Sequence, residues 1–306
     1  MPRRMPPERR PILELLDDCD FPDGHLHLGV SGGADSVAMA VLARAAGRDF
    51  TVWHVDHGHR PTSGDDAAFV ADLAEEWGVP FELRELHLTP PVPNFEAVAR
   101  ARRYEVLPAD VCVAHTATDR AETVLMNLFR GSGLAGTAAR MQNVHRPVLA
   151  LSRWDTSGVC DEAGITPVHD ESNDDEVGTY RARIRNSVYP AIARSISGDL
   201  TTLLNRHADL LGDAYEVITA AAAELDPTDV AALRAAPRAV ATEALRAWIQ
   251  RESGDPYPVD FASIERVLVV VDGHRRAAET LGGHRVARRQ GRLSFSVAST
   301  HGQART

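Results

Sequence analysis

The sequence predicts an α/β protein: a parallel sheet with helices on both faces, then a smaller, mostly helical C-terminal domain that closes in a β-hairpin. Three observations carry this. Short apolar runs alternate with helical patterns between residues 26 and 130, the arrangement that gives parallel strands joined by crossover helices. The hexapeptide Ser31-Gly32-Gly33-Ala34-Asp35-Ser36 lies between the apolar run 26–30 and a helical pattern at 37–46, so a strand passes through a glycine turn into a helix. After about residue 200 the alternation gives way to Ala/Leu-rich helical segments. The boundary is placed near 200–215, giving domains 1–205 and 206–306.

The elements follow in order. Residues 50–55 (FTVWHV) form an apolar run of strand length, and 63–77 have helical spacing with Ala67, Ala68, Val70, Ala71, Leu73 and Ala74 on an inner face. Residues 81–88 read as a strand, the Pro-rich segment 90–93 as a loop, and Asn94 as the cap of a helix reaching about residue 107. Residues 110–114 (DVCVA) are a short buried strand, and 119–130 a helix closed by Gly131 and Gly133. Beyond the boundary, 203–225 is a long helix, 230–233, 240–250 and 261–271 continue helical, and 285–297 is a hairpin turning at Gln290-Gly291.

Composition narrows the chemistry. The chain of 306 residues has room for one large or two ordinary domains, and 44% hydrophobic with 25% charged residues is a globular balance. No apolar stretch approaches the ~18 residues of a membrane span. The basic start MPRRMPPERRP lacks the apolar core of a signal peptide, so the expected location is cytoplasmic, with no membrane partner. The three cysteines, Cys19, Cys112 and Cys160, show no CxxC spacing, which speaks against structural zinc, an iron–sulfur cluster or a disulfide framework. All 33 basic residues are arginine. A Walker A lysine, a Schiff base and a lysine nucleophile are thereby excluded. A net charge of −10 opposes non-specific binding to nucleic acid. A nucleic-acid partner would need arginines gathered on one face, and Arg100, Arg102, Arg103, Arg181, Arg183, Arg185, Arg275, Arg276, Arg285, Arg288, Arg289 and Arg292 are the candidates.

Three polar stretches begin at predicted carboxyl ends of strands, where open α/β sheets bind ligands. In the hexapeptide, Gly32 and Gly33 permit positive φ, and Ser31, Asp35 and Ser36 suit a turn and a helix start. Backbone N–H groups and the helix dipole then form a cup for a phosphate. His54-Val55-Asp56-His57-Gly58 follows the second strand, with His54 and Asp56 on one face. Metal binding, acid–base work and simple loop capping are all open to it. His115 opens the third stretch, HTATDRAET, in which Asp119 and Glu122 lie three apart on one helical face. Carboxylates beside phosphates require a cation between them, which points to Mg²⁺, whereas acids in a first helical turn also serve the dipole.

The hexapeptide resembles the loop of the ATP-pyrophosphatase (PP-loop) superfamily, which implies an adenine nucleotide alpha hydrolase-like fold and ATP bound at Ser31, Gly32, Gly33, Ala34, Asp35 and Ser36. The wider set SGGADS (31–36), HVDHGHR (54–60), NFEAVARARRYEVL (94–107), AHTATDRAET (114–123), RGSGLAG (130–136), RPVLALSR (146–153), HDESNDD (169–175) and RARIRNSVYP (181–190) resembles the tRNA(Ile)-lysidine synthetase family. That resemblance implies a ligase that adenylates the wobble cytidine of a CAU anticodon in tRNA(Ile) and then joins free lysine to it, releasing AMP and pyrophosphate. It implies catalytic roles for Asp35, Asp119 and Glu122. Mg²⁺ would be oriented by Asp35 with Asp119, and the lysine ammonium held by Glu122 or Asp119. His54, Asp56, His57 and His115 would line the substrate rim. Arg103, Arg181 and Arg185 would meet tRNA or the activated phosphate, and Arg275, Arg276, Arg288 and Arg289 in the C-terminal domain would grip tRNA phosphates. A homodimer is compatible with it. Two departures stand out. Thr118 and Arg120 replace Asp and Gln of the usual H-x-x-D-D-Q-A-E-T, and Ala182 replaces Asn of R-N-x-I-R. A tRNA thiolase of the same superfamily and a nucleotide-binding protein without chemistry are the alternatives.

Overall fold

The computed structural model describes residues 9–56, 63–86, 102–139, 144–168, 179–255 and 259–297. Strands β1 (Leu26–Gly29), β2 (Phe50–Asp56), β3 (Phe81–Glu85) and β4 (Cys112–Val113) form a parallel sheet in the order β3-β2-β1-β4. Helices α1 (Ile12–Leu15), α2 (Ala34–Ala45) and α3 (Ser63–Trp77) precede or join the first three strands. The chain winds outward from β1 through β2 to β3, then returns to lay β4 against the other side of β1. The direction of winding therefore reverses between β1 and β4, and a crevice opens at their carboxyl ends.

Alternation along the strands builds the core. Leu26 and Leu28 of β1 and Phe50 and Val52 of β2 pack with Val37, Met39 and Leu42 of α2 and Val70, Leu73 and Ala74 of α3. Arg153–Glu162 is a helix of the same core, contributing Val159 and Cys160. The opposite sheet face carries His27, Trp53 and Arg84: Trp53 Nε1 donates to His27 Nδ1 at 3.1 Å, and the Arg84 guanidinium stacks 4.6 Å from the Trp53 ring centre. The third strand ends at Glu85, and of the helix expected at 94–107 only 102–107 fall among the described residues, of which 102–106 are helical.

Further helices follow in chain order: α4 (Ala117–Phe129), α5 (Leu134–Thr137), α6 (Arg153–Glu162), α7 (Tyr180–Arg183), α8 (Tyr189–Ser195) and α9 (Leu200–Ala223). A single π-helical stretch, Ile184–Val188, links α7 to α8. The chain divides into two compact units, Met1–Leu210 and Leu211–Thr306. In the second, α10 (Val230–Ala235), α11 (Arg238–Ser253) and α12 (Phe261–Val271) pack with an antiparallel sheet of β5 (Ala277–Glu279), β6 (Arg285–Arg289) and β7 (Arg292–Ser296). The hairpin turns at Gln290 (φ 50°) and Gly291 (φ 77°), as the Gln-Gly pair predicts. The structure adds β5, so the terminal sheet has three strands. The signal for β5 is weak, because Ala277 and Ala278 are poor strand formers and pair only through tertiary context.

Leu28 is fully buried on the strand that the reversal depends on. Leu28→Ala is expected to cost about 3 kcal/mol through the cavity it leaves, measured as a fall in stability by urea unfolding.

Candidate active site

The loop after β1 is built around Ser36. Its hydroxyl donates to Gly33 O at 2.9 Å and accepts from Ser31 N at 3.1 Å, with Ser31 Oγ 3.2 Å away. Gly32 takes a φ of +90°, and a Cβ there would lie 3.2 Å from Val168 Cγ2. Gly33 is extended (φ −71°) and caps α2 with no side-chain bond. Positive φ is thus used at Gly32 and not at Gly33. Val168 N donates to Gly32 O at 3.0 Å, and His54, buried at the end of β2, donates from Nδ1 to Val30 O at 2.8 Å. The loop is braced from both sides. Among the described residues the N–H groups of Gly32, Gly33, Ala34 and Asp35 have no protein acceptor, and together they open toward an anion at the N-terminus of α2.

Across the crevice, α4 begins at the end of β4. Thr116 caps it: Asp119 N donates to Thr116 Oγ1, while Asp119 Oδ2 accepts from Thr116 N and Oγ1, both at 2.9 Å. This aims Asp119 and, one turn on, Glu122 to the same side. Both are nearly buried, Glu122 at 1% exposure. Three arginines meet them. Arg153, the first residue of α6, reaches Glu122 Oε1 at 2.5 Å and Asp119 Oδ1 at 2.6 Å, and its Nε lies 3.5 Å from Asp35 Oδ2. Arg181 reaches Asp119 Oδ1 at 3.0 Å, and Arg185 makes a fork onto Glu122 at 2.9 and 3.1 Å. Asp35 Oδ1 accepts from Thr156 Oγ1 of α6 at 2.5 Å. The phosphate loop and the α4 carboxylates are therefore one connected network.

Arg153 carries the connection, and the motif reading assigns it no role. Its signal was present in Ser152-Arg153-Trp154-Asp155, a capping box that starts α6. The capping box places a helix start there; only the folded chain brings that start beside α4. The two replaced positions on α4 find partners in the structure. Thr118 Oγ1 accepts from Arg153 N at 3.2 Å, tying α6 to α4, and Arg120 pairs with Asp209 at 2.6 Å.

Burial alone would raise the pKa of Asp119 and of Glu122, but the guanidiniums, with Thr116 at Asp119, hold both below the ordinary carboxylate value. Asp35 is raised, chiefly by burial and then by Asp119. Arg153 is raised despite burial, by its carboxylate partners. The Mg²⁺ expected between Asp35 and Asp119 meets a different arrangement: the Arg153 guanidinium stands between them, and all four carboxylate oxygens already have a partner. That donor set is neutralised here by the Arg153 guanidinium, so a divalent ion held between the two carboxylates would need that guanidinium to move. Among the described residues no group of three His, Cys, Asp or Glu is placed to hold one.

The remaining predicted residues are placed as follows. His115 accepts at Nδ1 from Arg146 Nε at 3.2 Å. Asp56 is half-buried at the end of β2, and His57 lies outside the described residues. His54 stands behind the loop as a buried support rather than on an open rim. Arg181 and Arg185 are spent on the α4 carboxylates, although each remains partly exposed. Arg103 is exposed on 102–106. In the second unit Arg275, Arg276 and Arg289 are exposed, whereas Arg288 donates to Val271 O at 3.0 Å. The thiols of Cys19, Cys112 and Cys160 are each pushed up to about 11 by burial, which keeps them protonated and unreactive.

Fold and loop define a PP-loop ATP-binding domain, and the PP-loop domain model matches residues 6–192. The TilS substrate binding domain model matches residues 229–294. The chain is 34% identical to the tRNA(Ile)-lysidine synthase of Salinispora tropica over 94% of each chain. It is 35% identical to that of Thermus thermophilus, a longer protein of which the match covers 59%. It belongs to the tRNA(Ile)-lysidine synthase family. The U34-tRNA thiolase of Methanococcus maripaludis superposes with a TM-score of 0.52 over 66% of this chain and 78% of its own, and at 15% identity that likeness concerns the fold alone.

Gly32→Ala should cost about 1–2 kcal/mol in stability from the left-handed conformation, and should weaken ATP binding in a direct titration. An unchanged ATP affinity would separate the loop from the nucleotide. The α4 carboxylates give a second prediction. Their folded pKa values lie below the unfolded 3.8 and 4.5, so the stability they contribute is complete above those values and is lost as pH falls through the folded ones. Asp35 acts in the opposite sense, since its raised value favours the fold on protonation. Denaturant unfolding followed from pH 7 to pH 3 should show a net acid loss. Glu122→Gln should flatten it while lowering stability at pH 7 by about 3 kcal/mol.

Proposed function

We propose that this chain ligates free L-lysine to the wobble cytidine of the CAU anticodon of tRNA(Ile), with ATP as co-substrate. The observation that carries the reading is the joining, through Arg153, of an anion cup to a buried carboxylate pair on α4. One half suits a pyrophosphate leaving group and the other an ammonium. The cytosine carbonyl oxygen attacks the α-phosphorus of ATP, and the bond to pyrophosphate breaks. The lysine ε-amine then attacks the activated ring carbon and AMP leaves, which makes the enzyme a ligase forming a carbon–nitrogen bond.

The residues take roles by position. The N–H groups of Gly32 to Asp35 receive the charge that builds on the leaving pyrophosphate, where one well-placed donor can be worth about 3 kcal/mol. Ser36 holds the loop in that shape. Asp119 and Glu122 receive the lysine ammonium. Arg181 and Arg185 keep the pair ionised and turn their exposed edges to phosphate. Mg²⁺ belongs to this reading as the counterion that ATP carries. In the second unit Arg275, Arg276 and Arg289 meet tRNA phosphates, with Arg288 bracing the sheet beneath them. The target base must leave its stack to react, as loop nucleotides do. The cytoplasm, where tRNA and free lysine meet, is the compartment this activity requires.

The test is incorporation of labelled lysine into a tRNA(Ile) transcript bearing CAU. Labelling is expected only with ATP present, and not on a methionine tRNA with the same anticodon. ATP binding without any labelling would move the chain to the nucleotide-binding alternative.

A further inference from the structure

Arg153 occupies the place that a substrate cation needs. Its two terminal nitrogens bridge Glu122 Oε1 and Asp119 Oδ1 at 2.5 and 2.6 Å, the points from which two carboxylates would clasp an ammonium. Arg181 and Arg185 meet the same pair. Among the described residues Asp35, Asp119 and Glu122 thus face Arg153, Arg181 and Arg185. An ammonium cannot take the same two oxygens while the guanidinium bridges them at 2.6 and 2.5 Å, and two cations pressed together in a largely buried site are costly. One cation must therefore leave as another arrives.

Arg153 also touches the phosphate loop. Its contact to Asp35, a residue of the phosphate loop, is the longest of its three at 3.5 Å, and its side chain is 29% exposed. Asp35 also supplies one of the loop N–H groups that have no protein acceptor among the described residues, so phosphates seated on the loop would come within reach of the guanidinium. A planar fork binds phosphate in the same bidentate manner as carboxylate.

We propose that Arg153 is a positioning residue that exchanges between the Asp119–Glu122 pair and the phosphates of bound nucleotide. Nucleotide draws the guanidinium off the pair, and the pair then accepts the ammonium of lysine. This inference rests on the reading above that Asp119 and Glu122 receive that ammonium. The exchange conserves the charge of the cluster. It makes lysine binding depend on nucleotide, and by linkage nucleotide binding depends equally on lysine.

The experiment is equilibrium binding of labelled lysine to the full chain, with and without α,β-methylene ATP, for wild type, Arg153→Met, Arg153→Lys and Glu122→Gln. In wild type the nucleotide is expected to tighten lysine binding by about tenfold or more. Arg153→Met should bind lysine about equally with and without nucleotide, at the tighter affinity. Wild-type binding that ignores nucleotide, or an Arg153→Met variant that keeps the full dependence, overturns the proposal. Should Arg153→Met fail to fold, Arg153→Lys decides. Its point charge cannot bridge both carboxylates, so a reduced dependence supports the exchange and an undiminished one refutes it. Lysine affinity unaltered in Glu122→Gln would instead remove the ammonium site itself. Lysine affinity lost in Glu122→Gln beside a nucleotide-independent wild type would remove the exchange alone.

Discussion

Glu122 and Asp119 are carboxylates withdrawn almost wholly from water, and ionised groups in that position demand compensation. The demand shapes everything around them. Arg153 comes from the start of α6, and Arg181 and Arg185 from α7 and the π-helical stretch after it. Capped helix starts place Arg153 and Arg181, and Arg185 follows in the π-helical stretch that continues α7. Thr179 caps α7, and Ser152 with Asp155 caps α6. The carboxylates are held ionised because those guanidiniums outweigh the cost of burial. Breaking one such pair leaves a buried charge alone, which is why the network behaves as a unit.

The sheet order explains why this cluster stands beside the phosphate loop. With β4 laid against β1, the loops after these two strands flank one crevice. The helix α6 closes the arrangement from a third direction. It places Thr156 on Asp35, Arg153 on all three carboxylates, and the Arg153 N–H on Thr118. A threonine at position 118 is then a working part of the scaffold, since its hydroxyl accepts a bond from the start of α6. Arg120 similarly serves the packing of α9 through Asp209. Thr118 and Arg120 both have partners in this fold, and the carboxylate pair stands beside them.

Local chemistry made much of this readable from residues alone. Alternating apolar runs and helical spacing specify β1, α2, β2, α3 and β3 because each pattern buries one face whatever its neighbours are. Ser-Gly-Gly-Ala-Asp-Ser specifies its loop because the turn needs glycine at Gly32 and its closure needs the Ser36 hydroxyl, both within six residues. The spacing of Asp119 and Glu122 puts them on one helical face for the same local reason. The Gln-Gly turn of the final hairpin was equally legible, whereas β5 was not, since its alanines acquire strand structure only by pairing with β6.

What the sequence by itself determined is the set of elements and the chemical character of each strand end, because those follow from interactions a few residues long. What only the tertiary structure decided is which charges meet. Arg153 is separated from Glu122 by 31 positions and Arg185 by 63, and no periodicity encodes such a pairing. Arg181 and Arg185 read in the sequence as contacts to tRNA or the activated phosphate, and in the fold they also meet the α4 carboxylates. His54 reads as a rim residue and is a buried brace of the loop. Asp35 and Asp119 read as metal ligands and enclose a guanidinium instead. In each case the residue type was legible and its partner was not, because Coulomb energy and desolvation depend on distance and burial in three dimensions.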